Sequence, residues 1–170
     1  MKKIFVLTVF LAFLTVISSA QSVGTRVGNK APEIVGKSPD GKTLKLSSLK
    51  GKLVLIDFWA TWCGPCRKEN PNIVAAYEKF NKKKFLNGKG FEIFSVSLDQ
   101  NADMWKSGIE ADKLKWPYHV SDLKYWQSAH ALTYGVRSIP ANFLINDKGI
   151  IVARDLKGPT LEAALEKLLK

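Results

Sequence analysis

Cys63 and Cys66 are the only two cysteines in this chain of 170 residues, and only Gly64 and Pro65 separate them. A bridge between them closes so small a loop that the chain-entropy model gives about 2 kcal/mol, against about 4.7 kcal/mol for a 100-residue loop. A purely structural disulfide would be poorly placed there. A zinc site needs about four ligands, and one Cys-x-x-Cys with the distant His119 and His130 does not supply the usual spacing, so no metal is expected. The remaining chemistry is thiol–disulfide exchange. Cys63 falls at the start of an expected helix, where unpaired backbone N–H groups and the helix dipole favour a thiolate. Pro65 suits the first helical turn because its missing donor costs nothing there. Cys66, one turn further in, is placed to attack a mixed disulfide formed at Cys63.

The elements that must position this pair are legible around it. Residues 53–59, LVLIDFW, are continuously apolar apart from Asp57, which suits a strand covered on both faces. Residues 65–83 read as a helix with Pro71 inside it, where a kink is expected. Residues 91–98 form a second buried strand, and 102–112 and 125–134 are weaker helices. Residues 141–146 and 150–154 flank Asp147-Lys148-Gly149, a hairpin signal, as does Asp40-Gly41 in the alternating stretch near the N-terminus. Leu161, Ala164, Leu165, Leu168 and Leu169 share one face of a closing helix. Strands interleaved with helices make a layered α/β domain.

Composition sets outer bounds. With 46% hydrophobic and 24% charged residues, the chain is of globular type and the size of one domain. Residues 1–20 place Lys2 and Lys3 before an apolar run and end in Ser18, Ser19 and Ala20. This pattern is a secretory signal with cleavage after Ala20, and the run is shorter than the roughly 20 residues a bilayer span needs. The expected organisation is a signal peptide at 1–20, a flexible lead-in at 21–30 and one folded domain at 31–170. The expected location is extracytoplasmic: the periplasm, or the extracytoplasmic face of the membrane if the signal stays attached, with no stable membrane insertion after cleavage. The formal net charge is +11, and loss of Lys2 and Lys3 lowers it by two, to +9. The cations are scattered. The dense run Lys82 to Lys84 falls at an expected helix end without interleaved aromatics, so it reads as a solvated face rather than a nucleic-acid site. Basicity of this kind biases encounter with acidic partners.

The segment DFWATWCGPC, followed by Pro71 and the distant SIPANFLI, resembles thioredoxin. With the signal peptide, the N-terminal hairpin and an extra central segment within 100–133, the chain is similar to the extracytoplasmic TlpA/ResA branch over residues 31–170. The resemblance implies an α/β thioredoxin-like fold with an N-terminal β-hairpin and a central insertion. It also implies a redox disulfide Cys63–Cys66, with Cys63 attacking and Cys66 resolving. By position, Trp62 is the flanking aromatic, Gly64 and Pro65 the spacer against which substrate lies, and Pro140 the cis-proline beside the disulfide. Ile139 then offers backbone hydrogen bonds to an extended substrate segment. The implied partners are disulfide-containing client proteins, apocytochromes c among them, and a membrane thiol transporter upstream. The chain is expected to act as a monomer, without a cofactor and without nucleic acid. The Gly-Pro spacer resembles that of reducing thioredoxin, at about −270 mV against about −120 mV for a strong oxidant.

Thiol exchange moves protons as well as electrons, and two carboxylates can take part. Asp57 lies within an apolar strand, where an unpaired charge is expensive, and matches the buried aspartate of thioredoxin that accepts the resolving thiol's proton. Glu69 matches the active-site glutamate of ResA-like proteins, which commonly lack the aspartate; having both leaves two proton acceptors to separate. Trp105, Trp116 and Trp126 read as packing, and His119, after Trp-Pro-Tyr, as a surface loop residue. Ala141 stands where the family usually carries threonine, and Asn146 where it carries aspartate, departures that bear on partner choice. Two other function classes compete. A peroxiredoxin-like peroxidase needs Pro-x-x-x-Thr-x-x-Cys, but Thr61 is two residues from Cys63 and position 56 is Ile. A non-catalytic metal-binding module of the same fold would prefer Cys-x-x-x-Cys with a paired histidine.

Overall fold

Strand β3 (Leu53–Trp59) is buried along all seven residues and is an interior strand of the main sheet. Its apolar, partly β-branched and aromatic sequence can be covered on both faces, at roughly 1.5–3 kcal/mol for each large side chain removed from water. The structure is a computed structural model that describes residues 21–86 and 88–170; the expected signal peptide at 1–20 lies outside the described residues. No helix among the described residues is long and apolar enough to cross a membrane.

The first hairpin pairs β1 (Val35–Lys37) with β2 (Thr43–Lys45) around Asp40-Gly41, where Gly41 takes a φ of 81°. From β3 the chain enters α1 (Gly64–Phe80) and returns as β6 (Phe91–Ser97), parallel to β3, after a small hairpin of β4 (Lys84–Phe85) and β5 (Gly88–Lys89). A second crossover through α2 (Ala102–Ala111) leads to β7 (Tyr118–Ser121), parallel to β6. A short 3₁₀ turn at Tyr125–Gln127 and α3 (Ala129–Thr133) follow. The chain then closes with the antiparallel pair β8 (Ala141–Ile145) and β9 (Ile151–Arg154) and with α4 (Pro159–Glu166). The main sheet runs β2-β1-β7-β6-β3-β8-β9. This is the expected α/β thioredoxin-like fold, with the N-terminal hairpin and the central segment in place.

Several local expectations change. The first long helix ends at Phe80 rather than at residue 83, and Lys82, Lys83 and Lys84 are exposed beyond it, Lys84 in β4. Pro71 lies inside it, where the sequence placed it. The span 125–134 is two pieces because the Ser128 side chain caps α3 after the 3₁₀ turn. His119 is the clearest correction: it is a buried strand residue of β7, stacked on the Trp116 ring. Four mixed residues become a strand there because β6 supplies a partner edge. Residues 21–30 carry backbone hydrogen bonds to the closing hairpin, Gly28 N–H to Ile151 O at 2.8 Å and Ile151 N–H to Asn29 O at 2.9 Å.

Register places four buried polar residues in one lateral row: Asn142 on β8 opposite Asp57 on β3, then Ser95 on β6 and His119 on β7. Neighbours in register share a face of the sheet. On that face Trp116 donates its indole N–H to Ser95 Oγ at 2.9 Å and packs edge-on against Tyr77 of α1. Trp105 and Trp116 are packing residues, as expected from the sequence.

Candidate active site

β3 ends at Trp59, and residues 60–63 turn the chain into α1. The Cys63 N–H is held by Ala60 O at 3.1 Å, and Cys63 is the N-cap residue of the helix. Gly64 and Pro65 form its exposed first turn. Cys63 and Cys66 are joined as a disulfide, with Cα atoms 5.3 Å apart. The Cys66 N–H donates to Cys63 Sγ at 3.1 Å. In the reduced state the same N–H, aligned with the helix dipole, stabilises negative charge on that sulfur. Cys66 is fully enclosed, whereas Cys63 retains 5% exposure, so the first is reached through the second.

The second wall comes from a distant part of the chain. Ile139 and Pro140 are joined by a cis peptide bond, and the Ile139 carbonyl oxygen lies 3.7 Å from Cys63 Sγ. Both residues are half-buried at the start of β8. Trp62, the residue before Cys63, is 42% exposed. The structure therefore brings Trp62, Cys63, Gly64, Pro65, Cys66, Ile139 and Pro140 to one end of the sheet. It is the end where the parallel strands β3 and β6 finish, the usual position of sites in open α/β sheets.

The two carboxylates sit in different surroundings. Asp57 is 1% exposed, and its Oδ1 has no hydrogen-bond partner among the described residues. Burial pushes its pKa up to about 7, and the nearby Glu69 charge adds to the effect. Glu69 is half-buried on α1. Its carboxylate accepts the Gly158 N–H at 2.6 Å and an Asn72 side-chain N–H at 3.1 Å. Asn142, beside Asp57, holds the same β9–α4 connection by accepting from Leu156 N–H at 2.9 Å and donating to Leu156 O at 2.7 Å. Asp57 thus has a free acceptor oxygen, and Glu69 fastens a loop.

Four further features pack around the turn before Cys63 and the first part of α1, and sequence reasoning missed their contacts. The buried Asp99 accepts the Thr61 N–H at 3.2 Å, the Thr61 hydroxyl at 2.5 Å and the Ser97 hydroxyl at 2.7 Å. These donors satisfy the polar atoms of a carboxyl group that would otherwise be expensive to bury. Gly108 of α2 lies directly against Thr61: a Cβ at that position would be 2.2 Å from Thr61 Cγ2. Asp112, at the end of α2, takes the Arg67 guanidinium at 2.5 Å and the Asn70 side-chain N–H at 2.7 Å. The only sequence signal was an acid just past a buried strand, at Asp99. The fourth feature is aromatic. Tyr125 and Trp126 reach Trp62 with ring centroids 4.9 and 6.1 Å away. Trp126 is therefore packing, as expected, but packing against the site. No group of three or more His, Cys, Asp or Glu among the described residues is arranged to hold a metal ion.

Comparison with known proteins agrees with this geometry. The Redoxin family model matches residues 26–169. The thiol-disulfide oxidoreductase ResA of Bacillus thuringiensis subsp. konkukian is 33% identical over 144 residues, covering 85% of this chain and 77% of the relative. The thioredoxin domain of a thiol-disulfide oxidoreductase from Bacteroides vulgatus superposes with a TM-score of 0.76 at 35% identity, covering 85% of this chain and 99% of that one. A thiol-disulfide oxidoreductase from Bacteroides fragilis gives 0.74 at 30% identity, covering 83% and 100%.

Proposed function

The chain belongs to the Redoxin family as a ResA-like thiol-disulfide oxidoreductase, and on that premise we propose that it works outside the cytoplasm as a reductant of client disulfides. The single observation that carries the mechanism is the asymmetry of the pair: Cys66 is sealed, while Cys63 sits at the helix start with the Cys66 N–H donating to its sulfur.

In this reading an external dithiol first reduces the Cys63–Cys66 bond. The Cys63 thiolate then attacks a client disulfide, forming a Cys63–client bond and releasing the other client sulfur as a thiolate. Cys66 gives up its proton to Asp57 and attacks Cys63 Sγ. That step breaks the mixed disulfide, expels the second client thiolate and restores the Cys63–Cys66 bond. Two electrons pass to the client. Ile139 and Pro140 hold the client backbone, Trp62, Gly64 and Pro65 form the surface it crosses, and Glu69 acts on Asp57 through its charge. The N-terminal sequence supports export with residues 1–20 as signal and 31–170 as the working domain. An oxidising compartment then requires a membrane dithiol donor upstream, and apocytochromes c are a fitting client class.

The test of direction is the reduction potential of the Cys63–Cys66 couple, equilibrated against glutathione or dithiothreitol buffers. A value near that of thioredoxin, about −270 mV, is expected; one near −120 mV would make the protein an oxidant.

A further inference from the structure

We propose that Trp62, Tyr125 and Trp126 form one aromatic platform beside Cys63 that binds an aromatic or large apolar side chain of the client next to the cysteine under attack. The inference rests on Cys63 as the attacking thiol, and it names the substrate feature that this site selects.

The three rings come from two separate parts of the chain. Trp62 precedes Cys63, whereas Tyr125 and Trp126 lie on the 3₁₀ turn after β7. Each ring touches the other two, with Tyr125 and Trp126 centroids 5.9 Å apart. Yet the cluster is not core: Trp62 is 42% exposed and Tyr125 37%. The turn that carries it adopts a costly backbone. Leu123 and Tyr125 have φ of 56° and 54°, a region that bulky L-residues rarely occupy. Such strain persists where the surroundings enforce it, and they do so here. Ser121 Oγ accepts the Leu123 N–H at 3.1 Å, Asp122 accepts the Lys124 and Ala129 N–H groups at 3.2 and 3.0 Å, and the Ser128 side chain caps α3. The aromatic faces are held in place before any client arrives.

The chemistry of exchange dictates the occupant. A mixed disulfide at Cys63 joins the client cysteine to the residue directly after the exposed Trp62, so the residue flanking that cysteine is offered the rings in contact with Trp62. Aromatic faces also attract cations. A cationic client side chain, however, would approach a chain of net charge +11 with Lys124 exposed on the same turn, which leaves an aromatic or apolar group as the favoured occupant.

The test uses fully reduced full-length protein in single-turnover stopped flow, with two synthetic peptide disulfides that differ only in phenylalanine or serine beside the cysteine. The phenylalanine peptide should react faster by roughly three- to tenfold, the scale of one good aromatic contact. In Tyr125→Asn the ratio should fall to about one, since asparagine tolerates the left-handed backbone but removes the ring. In Tyr125→Phe it should be retained. Equal rates for the two peptides with the unaltered protein would overturn the proposal while leaving thiol exchange intact. So would a preference that survives Tyr125→Asn, or a concentration-dependent dimer abolished by Tyr125→Asn without any peptide preference, which would assign the platform to a second copy of the chain. Failure to reduce either peptide or a small aliphatic disulfide would remove Cys63 as the attacking thiol and the platform proposal with it.

Discussion

Glu69 accepts the backbone N–H of Gly158 across a separation of 89 residues, at 2.6 Å, and so ties the helix that carries Cys66 to the connection between β9 and α4. Its carboxylate also receives Asn72. Asp57 has no such donors at Oδ1, and burial with the Glu69 charge raises its pKa to about 7. One acid is committed to structure, and the other is poised to take up a proton near neutral pH.

Asp57→Asn is expected to slow resolution of the mixed disulfide by roughly 10²-fold, with little effect on its formation, because only the second step must deprotonate Cys66. Resolution by the unaltered protein should show an inflection near pH 7. Glu69→Gln should move that inflection down, since the charge that helps to raise Asp57 is gone. Rapid-quench separation of the two steps across pH measures this. An unchanged profile in Asp57→Asn together with loss of the step in Glu69→Gln would give the proton role to Glu69.

Two buried groups of the same lateral row act on stability with opposite signs. Folded Asp57 keeps its proton up to about pH 7, whereas an unfolded aspartate releases it near 3.9. The native state therefore binds more protons across that window, and stability falls as pH rises through it. Burial pushes His119 down to about 4 from 6.5, so the native state binds fewer protons and stability falls as pH drops through that window. Asp57→Asn should thus gain almost nothing at pH 4 and roughly 2–4 kcal/mol at pH 8. His119→Phe should improve, relative to the parent, by roughly 2–3 kcal/mol between pH 7 and pH 4. Urea unfolding of the oxidised proteins at several pH values checks both, and pH-independent differences would contradict them.

The contact of Gly108 with Thr61 predicts a coupling. Gly108→Ala puts a methyl group into Thr61 Cγ2 and should destabilise the protein by about 1–3 kcal/mol while slowing exchange, because the turn holding Trp62 and Cys63 must move. Thr61→Ser removes that methyl group and keeps the hydroxyl for Asp99. The double variant should recover most of the loss, a coupling visible in a double-mutant cycle. Additive effects would show that the contact does not transmit.

What the sequence disclosed followed from continuity and local turn chemistry. Residues 53–59 are apolar apart from Asp57, residues 91–98 are predominantly apolar, and Asp40-Gly41 and Asp147-Lys148-Gly149 announce their hairpins. The two cysteines, Pro65 and the SIP motif before Ala141 located the site and its opposing proline. What stayed hidden is non-local. Tyr118–Ser121 is a strand only because β6 offers an edge, and this also buries His119. The aromatic pair on the 3₁₀ turn looked like the start of a helix because neither positive φ falls on glycine. Asp99, Gly108 and Asp112 gained a role from contacts that no local pattern encodes. Glu69 was visible as a candidate, but its attachment to Gly158 was not.

Disulfide exchange by this protein depends most on the division of labour between the two cysteines. Its most direct measurement is trapping: Cys66→Ser and Cys63→Ser, each incubated with a client disulfide, followed by intact-mass analysis under non-reducing conditions. Cys66→Ser is expected to accumulate a stable mixed disulfide at Cys63, because the attacking thiol remains and the resolving one is gone. Cys63→Ser is expected to trap almost nothing, since Cys66 is sealed from solvent. Equal trapping by both variants, or trapping through Cys66 alone, would contradict the assignment of Cys63 as the attacking thiol.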